Sequence, residues 1–397
     1  MNRRGTIDVA VAGGGVVGAA CALALARAGL EVALVEGTRP APWQPGQADL
    51  RVYAFAADNA ALLRELGAWE AVRAARAHPY RRMRVWDAAG GGELAFDADA
   101  FGRTELGWIV EHGLLLDRLW AALPGAGVRV HCPARVQALE QGDDRPAAEG
   151  VRLQLDDGTR LQARVAIAAD GAESTLRRLA GLEVDRRDYA QRGIVGYVAT
   201  ERAHEDTAWQ RFLPGGPLAF LPCADGSSSI VWTLPDADAQ RVLALDDAAF
   251  GHALARAFDA RLGAVRALTP RAAFPLRRQL VRDYLAGAVL VLGDAAHVVH
   301  PLAGQGVNLG LRDIAALRDS IADARSTRRD WHAPSRLARW ARERKSENAL
   351  AAHAFDGISR LYASDDVAAT LLRGPLLGLA GRLPPVTQRL WRRAAGL

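Results

Sequence analysis

Three glycine-bearing turns in this chain place residue types that could do chemistry. The first is Gly13-Gly14-Gly15-Val16-Val17-Gly18, a G-x-G-x-x-G pattern after the apolar run 7–12 and before an alanine-rich stretch. Gly13 permits a tight turn out of a strand, Gly15 lets backbone approach a pyrophosphate, and Gly18 lets the following helix pack closely. A helix N-terminus at this point would favour negative charge. Glu36 lies 23 residues after Gly13, close to the spacing of an acidic group that accepts hydrogen bonds from ribose hydroxyls. These residues point to dinucleotide binding and leave NAD and FAD as alternatives. The second turn is Asp170-Gly171-Ala172-Glu173-Ser174, followed by Arg177. Alone it reads as a strand end with Asp170 or Ser174 capping a helix. The third is Gly293-Asp294, leading through His297, His300, Pro301, Gly304, Gln305 and Gly306 to Val307 and Asn308. Asp294 can accept from sugar-like hydroxyls, the glycines allow close approach to a flat ring, and a helix starting near Val307 would stabilise an anion. His297 and His300 lack an H-E-x-x-H context or a third ligand, so they read as loop packing and not as a metal site.

The elements needed to hold these turns can be read around them. Apolar runs at 7–12 and 32–35 flank a helical stretch at 16–30, giving a right-handed parallel βαβ unit. Residues 58–77 have the period of one helix. Strand-like segments at 128–131, 135–139, 151–155 and 161–168 lead into Asp170. Four more, at 194–200, 208–213, 218–222 and 229–234, are spaced as in an antiparallel sheet. Residues 246–262 are helical, 288–292 form a buried strand, and helices follow from about 307 and 336.

Composition narrows the class. The chain has 397 residues, of which 50% are apolar and 24% charged. That is globular composition with ample core and no need of a staple. Cys21, Cys132 and Cys223 are widely spaced, which excludes a disulfide framework, argues against a cysteine zinc site and suggests a reducing, cytoplasmic setting. Asp8 and the glycine run break the N-terminal apolar stretch, so it does not read as a signal peptide. No uninterrupted apolar stretch is long enough for a membrane-spanning helix.

Together the three turns resemble the FAD-dependent aromatic hydroxylases, single-component flavoprotein monooxygenases with a para-hydroxybenzoate-hydroxylase-like fold. The resemblance is greatest to the ubiquinone-biosynthesis branch, whose pattern G-D-A-A-H-x-x-H-P-x-A-G-Q-G-x-N-L-G-L-x-D is met from Gly293 to Asp313. The stretches 49–54, 107–111, 210–214, 216–222 and 274–276 are similar too. The resemblance covers residues from about 6 to about 360.

This resemblance implies an α/β fold. A Rossmann-like FAD-binding domain (1–75, 104–183 and 270–330) would carry an inserted α+β substrate domain with a mostly antiparallel sheet (76–103 and 184–269). A C-terminal helical region (331–397) would follow. It implies FAD as cofactor, NAD(P)H as electron donor, O₂, and a lipophilic phenol as substrate. The expected reaction is ring hydroxylation of a polyprenyl-phenol of ubiquinone biosynthesis through a flavin C4a-hydroperoxide. By the same resemblance, Gly13, Gly15, Val17, Gly18 and Glu36 hold the ADP half, and Asp170 and Gly171 approach the pyrophosphate. Gly293, Asp294, Gly304, Gly306, Val307 and Asn308 hold the ribityl chain and flavin. Arg51 resembles the arginine near the phosphates and ribityl chain, and His112 stands where the branch usually has Asn. The substrate ring would meet the flavin near Pro301, Gly304, Gln305 and Gly306, with the chemistry borne by the flavin and no metal. The rival readings are the same chemistry on a soluble phenol or pigment precursor, and an NAD-dependent dehydrogenase without flavin.

The formal charge is +5, with Lys345 the only lysine. Residues 367–397 hold Arg373, Arg382, Arg389, Arg392 and Arg393 and no acid, so the remainder balances at 45 basic against 45 acidic residues. Leucines interleave those arginines, which suits either contact with an anionic lipid surface or a C-terminal helix packed on the body with its arginines solvated. The expectations are peripheral attachment to the cytoplasmic membrane or contact with a quinone-biosynthesis complex, and no nucleic-acid partner.

Overall fold

A computed structural model describes residues 6–88, 92–141, 150–300 and 305–363. The expected unit at the start is present: β1 (Thr6–Ala12), α1 (Val16–Arg27) and β2 (Val32–Val35). Alanine and leucine fill the inner faces of α1, and every residue from Gly18 to Leu25 is buried. Short side chains let α1 sit close to its neighbours; truncating a fully buried leucine such as Leu23 costs about 2–5 kcal/mol.

The chain continues through β3 (Val52–Phe55), α2 (Ala57–Glu65) and α3 (Trp69–Ala75). The single helix expected over 58–77 is thus two, because Gly67 takes a positive φ of 71° and ends α2. Then come β4 (His78–Tyr80), β5 (Arg82–Asp87), β6 (Glu93–Asp97), β7 (Gly107–Glu111) and α4 (His112–Ala122). They lead to β8 (Arg129–His131), β9 (Val136–Gln141), β10 (Val151–Leu155), β11 (Arg160–Ala168) and the short α5 (Thr175–Leu179).

The next group is β12 (Val184–Thr200), β13 (Thr207–Leu213), β14 (Gly216–Pro222), β15 (Ser228–Pro235), α6 (Asp236–Leu243), α7 (Asp247–Ala257), β16 (Val265–Ala267) and β17 (Ala272–Val281). β12 begins ten residues before the expected 194. Its first half is polar and lacks strand alternation, yet it pairs with β17 from Val184 onward. The last elements are β18 (Leu285–Ala286), β19 (Val289–Val291), β20 (His297–Val298), α8 (Gln305–Ser326) and α9 (Pro334–Ala363).

Three sheets result among the described residues. The first has parallel strands in the order β19-β11-β1-β2-β8, with antiparallel β18, β10 and β9 added. The carboxyl ends of β1, β11 and β19 therefore emerge together, and the three glycine-bearing turns follow these strands. In open α/β sheets ligands bind at such strand ends. The second sheet runs β20-β17-β12-β15-β14-β13-β5-β6, with β16 beside β12. It is antiparallel except where β13 meets β5. β17, assigned to the FAD-binding segment by the expected division, pairs along most of its length with β12 of this second sheet. The third sheet, β3-β7-β4, is small. The basic tail 367–397 lies outside the described residues.

Candidate functional site

One cavity of about 1300 Å³ runs from the glycine turns to the face of the second sheet. Pockets for one ligand commonly have about 300–1,000 Å³, so this space accommodates a large ligand and a second molecule beside it. Gly13, Gly15, Val17, Glu36, Arg51, His112, Asp170, Gly171, Asp294, Gly306 and Val307 all line it.

The first turn divides its work among its glycines. Gly13 has φ of 101°, and a Cβ there would fall 2.3 Å from the Ala169 carbonyl oxygen. At Gly18 a Cβ would fall 1.9 Å from the Gly13 carbonyl oxygen, so this residue packs the turn and does not line the cavity. Gly15 faces open space. No side chain caps the start of α1, and no acidic residue lies in its first turn. The Glu36 carboxylate accepts from the backbone N–H groups of Gly14 and Thr38, at 2.5 and 3.0 Å.

At the second turn, Asp170 caps α5, accepting from the N–H groups of Thr175 and Leu176 at 2.7 and 3.2 Å and from the Ser174 hydroxyl. Ser174 in turn accepts from Arg177 N at 3.0 Å. The structural and ligand readings of this turn therefore coexist: Asp170 holds the loop while Gly171 (φ 84°) leaves its cavity side open. Arg177 is buried and donates to the carbonyls of Ala172 and Ala295, each at 2.9 Å, tying the second turn to the third.

The third turn rests on a buried polar network. Asp313 of α8 accepts from Gly293 N at 3.2 Å, His297 Nε2 at 2.7 Å, Arg344 Nε at 2.8 Å and Asn348 Nδ2 at 2.8 Å. Burial alone would raise the Asp313 carboxyl, but His297, Arg344 and Asn348 hold it below the usual carboxylate range. Gly293 and Asn308 do not line the cavity. Gly293 packs near Val17, and Asn308 clamps the 54–59 segment through Ala54 O, Ala56 N and Asn59 Nδ2. Asp294 is the acidic side chain of this stretch that lines the cavity, with Val298 and Val299 beyond it. Pro301 and Gly304 lie outside the described residues; Gln305 opens α8.

Arg51 and His112 share one wall with Tyr53, whose hydroxyl lies 2.6 Å from His112 Nδ1. Burial and then Arg51 lower the His112 imidazole below its ordinary range, outweighing Asp49. His300 is buried edge-on to Tyr189 at 5.2 Å, and His297 Nε2 is bonded to Asp313. Among the described residues, His78, His204 and Asp206 are the one cluster with metal-ligand atoms close together. Both His204 ring nitrogens are already engaged, by Cys223 O and Asp206 N.

The other half of the cavity is faced by the sheet of the expected substrate domain, and the wall that α9 adds to it was not foreseen. Met83, Leu221 and Phe212 line it from the second sheet, and Phe355, Ile358 and Tyr362 from α9. The latter three follow a helical i, i+3, i+7 spacing, a signal present in the sequence. Arg135, beside Glu36 in the cavity wall, was also missed.

The residues present fit an FAD. Gly15 offers an unfilled cradle beside an uncapped helix start, Glu36 and Asp294 supply acceptors, and the space continues to the start of α8.

The profile of the FAD binding domain family matches residues 6–353. The chain is 39% identical over 343 residues to a 3-demethoxyubiquinol 3-hydroxylase from Escherichia coli (strain K12), covering 86% of each protein. It is 36% identical over 394 residues to a ubiquinone hydroxylase, UbiL, from Rhodospirillum rubrum, covering 98% of this chain and 89% of that one. Among solved structures it is similar to P. aeruginosa PqsL in complex with 2-aminobenzoylacetate. The TM-score is 0.74 and the identity 25%, over 90% of this chain and 97% of that one.

Proposed function

The chain belongs to the FAD binding domain family and is an FAD-dependent monooxygenase, and from that premise we propose that it hydroxylates the aromatic ring of a polyprenyl-phenol intermediate of ubiquinone biosynthesis. The observation that carries the reading is a continuous cavity, polar and glycine-lined at one end and apolar at the other. Bound FAD supplies the capacity, once reduced, to activate O₂ for transfer of one oxygen atom to an electron-rich ring.

The chain's own residues bind and orient. Backbone N–H groups at Gly15 and the first turn of α1 hold the phosphates, where unpaired donors and the helix dipole favour negative charge. Gly13 and Gly18 shape that turn, and Val17 covers it. Glu36 accepts from the ribose hydroxyls with the lone pairs left by Gly14 and Thr38. Gly171 admits the pyrophosphate on a loop braced by Asp170. Asp294 accepts from the ribityl chain on a turn fixed through Gly293, while Arg51 and His112 border the same wall. Gly306 and Val307 begin α8, whose N-terminal dipole stabilises negative charge on the ring. Asn308 contributes by clamping α8. The apolar walls from Met83, Phe212, Leu221, Phe355 and Tyr362 exclude water and receive the prenyl tail.

NAD(P)H is the proposed electron donor. No helix among the described residues is long and apolar enough to cross a membrane. A lipid-dissolved substrate favours peripheral attachment through the arginine- and leucine-rich 367–397.

The test is a strain lacking this protein. It should accumulate an under-hydroxylated prenyl-phenol and regain quinone when the gene is restored. Unchanged quinone with loss of a soluble hydroxylated product would transfer the reading to a soluble phenol. Purified protein without flavin absorbance, even after FAD is added, would refute it outright.

A further inference from the structure

The apolar half of the cavity has a floor made of one row of side chains across six strands. The registers set Leu94, Val85, Gln210, Ala219, Val231 and Val195 side by side across β6, β5, β13, β14, β15 and β12. All six line the cavity. Five are aliphatic, and Gln210 is the exception.

Gln210 is only 7% exposed, faces the cavity, and among the described residues its carboxamide forms no hydrogen bond. Its carboxamide opens to the cavity, so an apolar ligand seated there would leave it buried and unpaired, at a cost of a factor of about ten or more in an equilibrium constant. Its neighbour shows the contrast: Arg211 donates to the Ala257 carbonyl at 2.9 Å and pairs with Asp259. A lone amide in an aliphatic row, open toward a cavity, is suited to a ligand that brings the missing partner.

We propose that Gln210 recognises the ring oxygen of the phenolic substrate, an inference that rests on the hydroxylase reading above. A carboxamide offers both an N–H donor and a carbonyl acceptor, so it can meet a hydroxyl in either sense. It is neutral and not basic, so it orients the ring without taking its proton. The aliphatic neighbours in the row pack against the ring itself. A site built around such a hydrogen bond rejects an analogue that lacks the hydroxyl, because the buried amide is then left unpaired.

The experiment compares a short-chain prenylated phenol with the same molecule lacking its ring hydroxyl. Binding to the FAD-loaded protein is read from the flavin absorption spectrum. Wild type should prefer the phenol by about tenfold or more. Gln210→Met should erase that preference by weakening the phenol alone, with FAD affinity and Tm unchanged. Gln210→Asn, which withdraws the amide by one methylene, gives the same comparison should the methionine variant not fold. Thr233, also buried and cavity-lining, is the control, and Thr233→Val should keep the preference. Retained discrimination in both Gln210 variants, or its loss in Thr233→Val, overturns the proposal while leaving the hydroxylase reading intact. Wild-type protein that binds neither compound and hydroxylates no phenol removes that reading, and the proposal with it.

Discussion

Replacing Asp313 by Asn attacks the support of the third turn without touching the cavity. Asp313 is fully buried, with Arg344 and Asn348 on one oxygen and Gly293 N and His297 on the other. Asparagine keeps the shape but removes the charge and points an N–H group at donors. Arg344, itself 4% exposed, would keep only Glu347, whose side chain is 67% exposed, as a charged partner. Breaking a buried pair in this way costs about 3–5 kcal/mol, a large share of the roughly 5–15 kcal/mol that holds a typical domain folded. Urea unfolding at pH 7 followed by tryptophan fluorescence measures the loss, and flavin fluorescence measures FAD affinity. Both should fall, because Gly293 loses its acceptor and the turn carrying Asp294 relaxes. Combining Asp313→Asn with Arg344→Met should show a coupling of about 1–3 kcal/mol. A loss under about 1 kcal/mol with unchanged FAD affinity, or strict additivity with Arg344→Met, would refute this reasoning.

Three further outcomes follow from the geometry. Gly18→Ala places a methyl group against the Gly13 carbonyl, so FAD affinity should drop about tenfold or more by equilibrium titration while the second sheet stays folded by near-UV dichroism. Burial pushes the His300 imidazole down to about 4 from its ordinary value of 6.5. Because the folded-state value is depressed, the stability present above about pH 6.5 is lost as pH falls towards 4, by up to about 3 kcal/mol. His300→Leu should remove that part of the pH dependence in urea midpoints measured at pH 7.5 and 4.5. Phe212 stacks on Tyr362 at 4.0 Å in the apolar half, so Phe212→Ala should raise KM for a long-chain phenol about tenfold and leave FAD affinity unchanged.

Local signals made the dinucleotide half readable. Gly13, Gly15 and Gly18 sit at fixed spacing on a strand-turn-helix unit, and the parallel pairing of β1 with β2 follows from it. The Gly293–Asp313 stretch was likewise visible, although the jobs of its members were not. Asn308 has the composition of a ligand contact, yet its amide is consumed in clamping the 54–59 segment. Asp313 ends the motif and supports it from within. The substrate half was less legible because its wall is assembled by register. Leu94, Val85 and Gln210 are neighbours only through the pairing of β6, β5 and β13, and β13 joins β5 in parallel from more than a hundred positions away. The polar first half of β12 hid for a related reason: it is held by its partner β17, and its own sequence does not alternate.

The most direct test of the account is a single turnover of the FAD-loaded protein with NAD(P)H, a prenylated phenol and ¹⁸O₂. The product should carry one added oxygen on its ring, labelled with ¹⁸O. Consumption of NAD(P)H with the label recovered only in hydrogen peroxide, and the phenol returned unchanged, would contradict it.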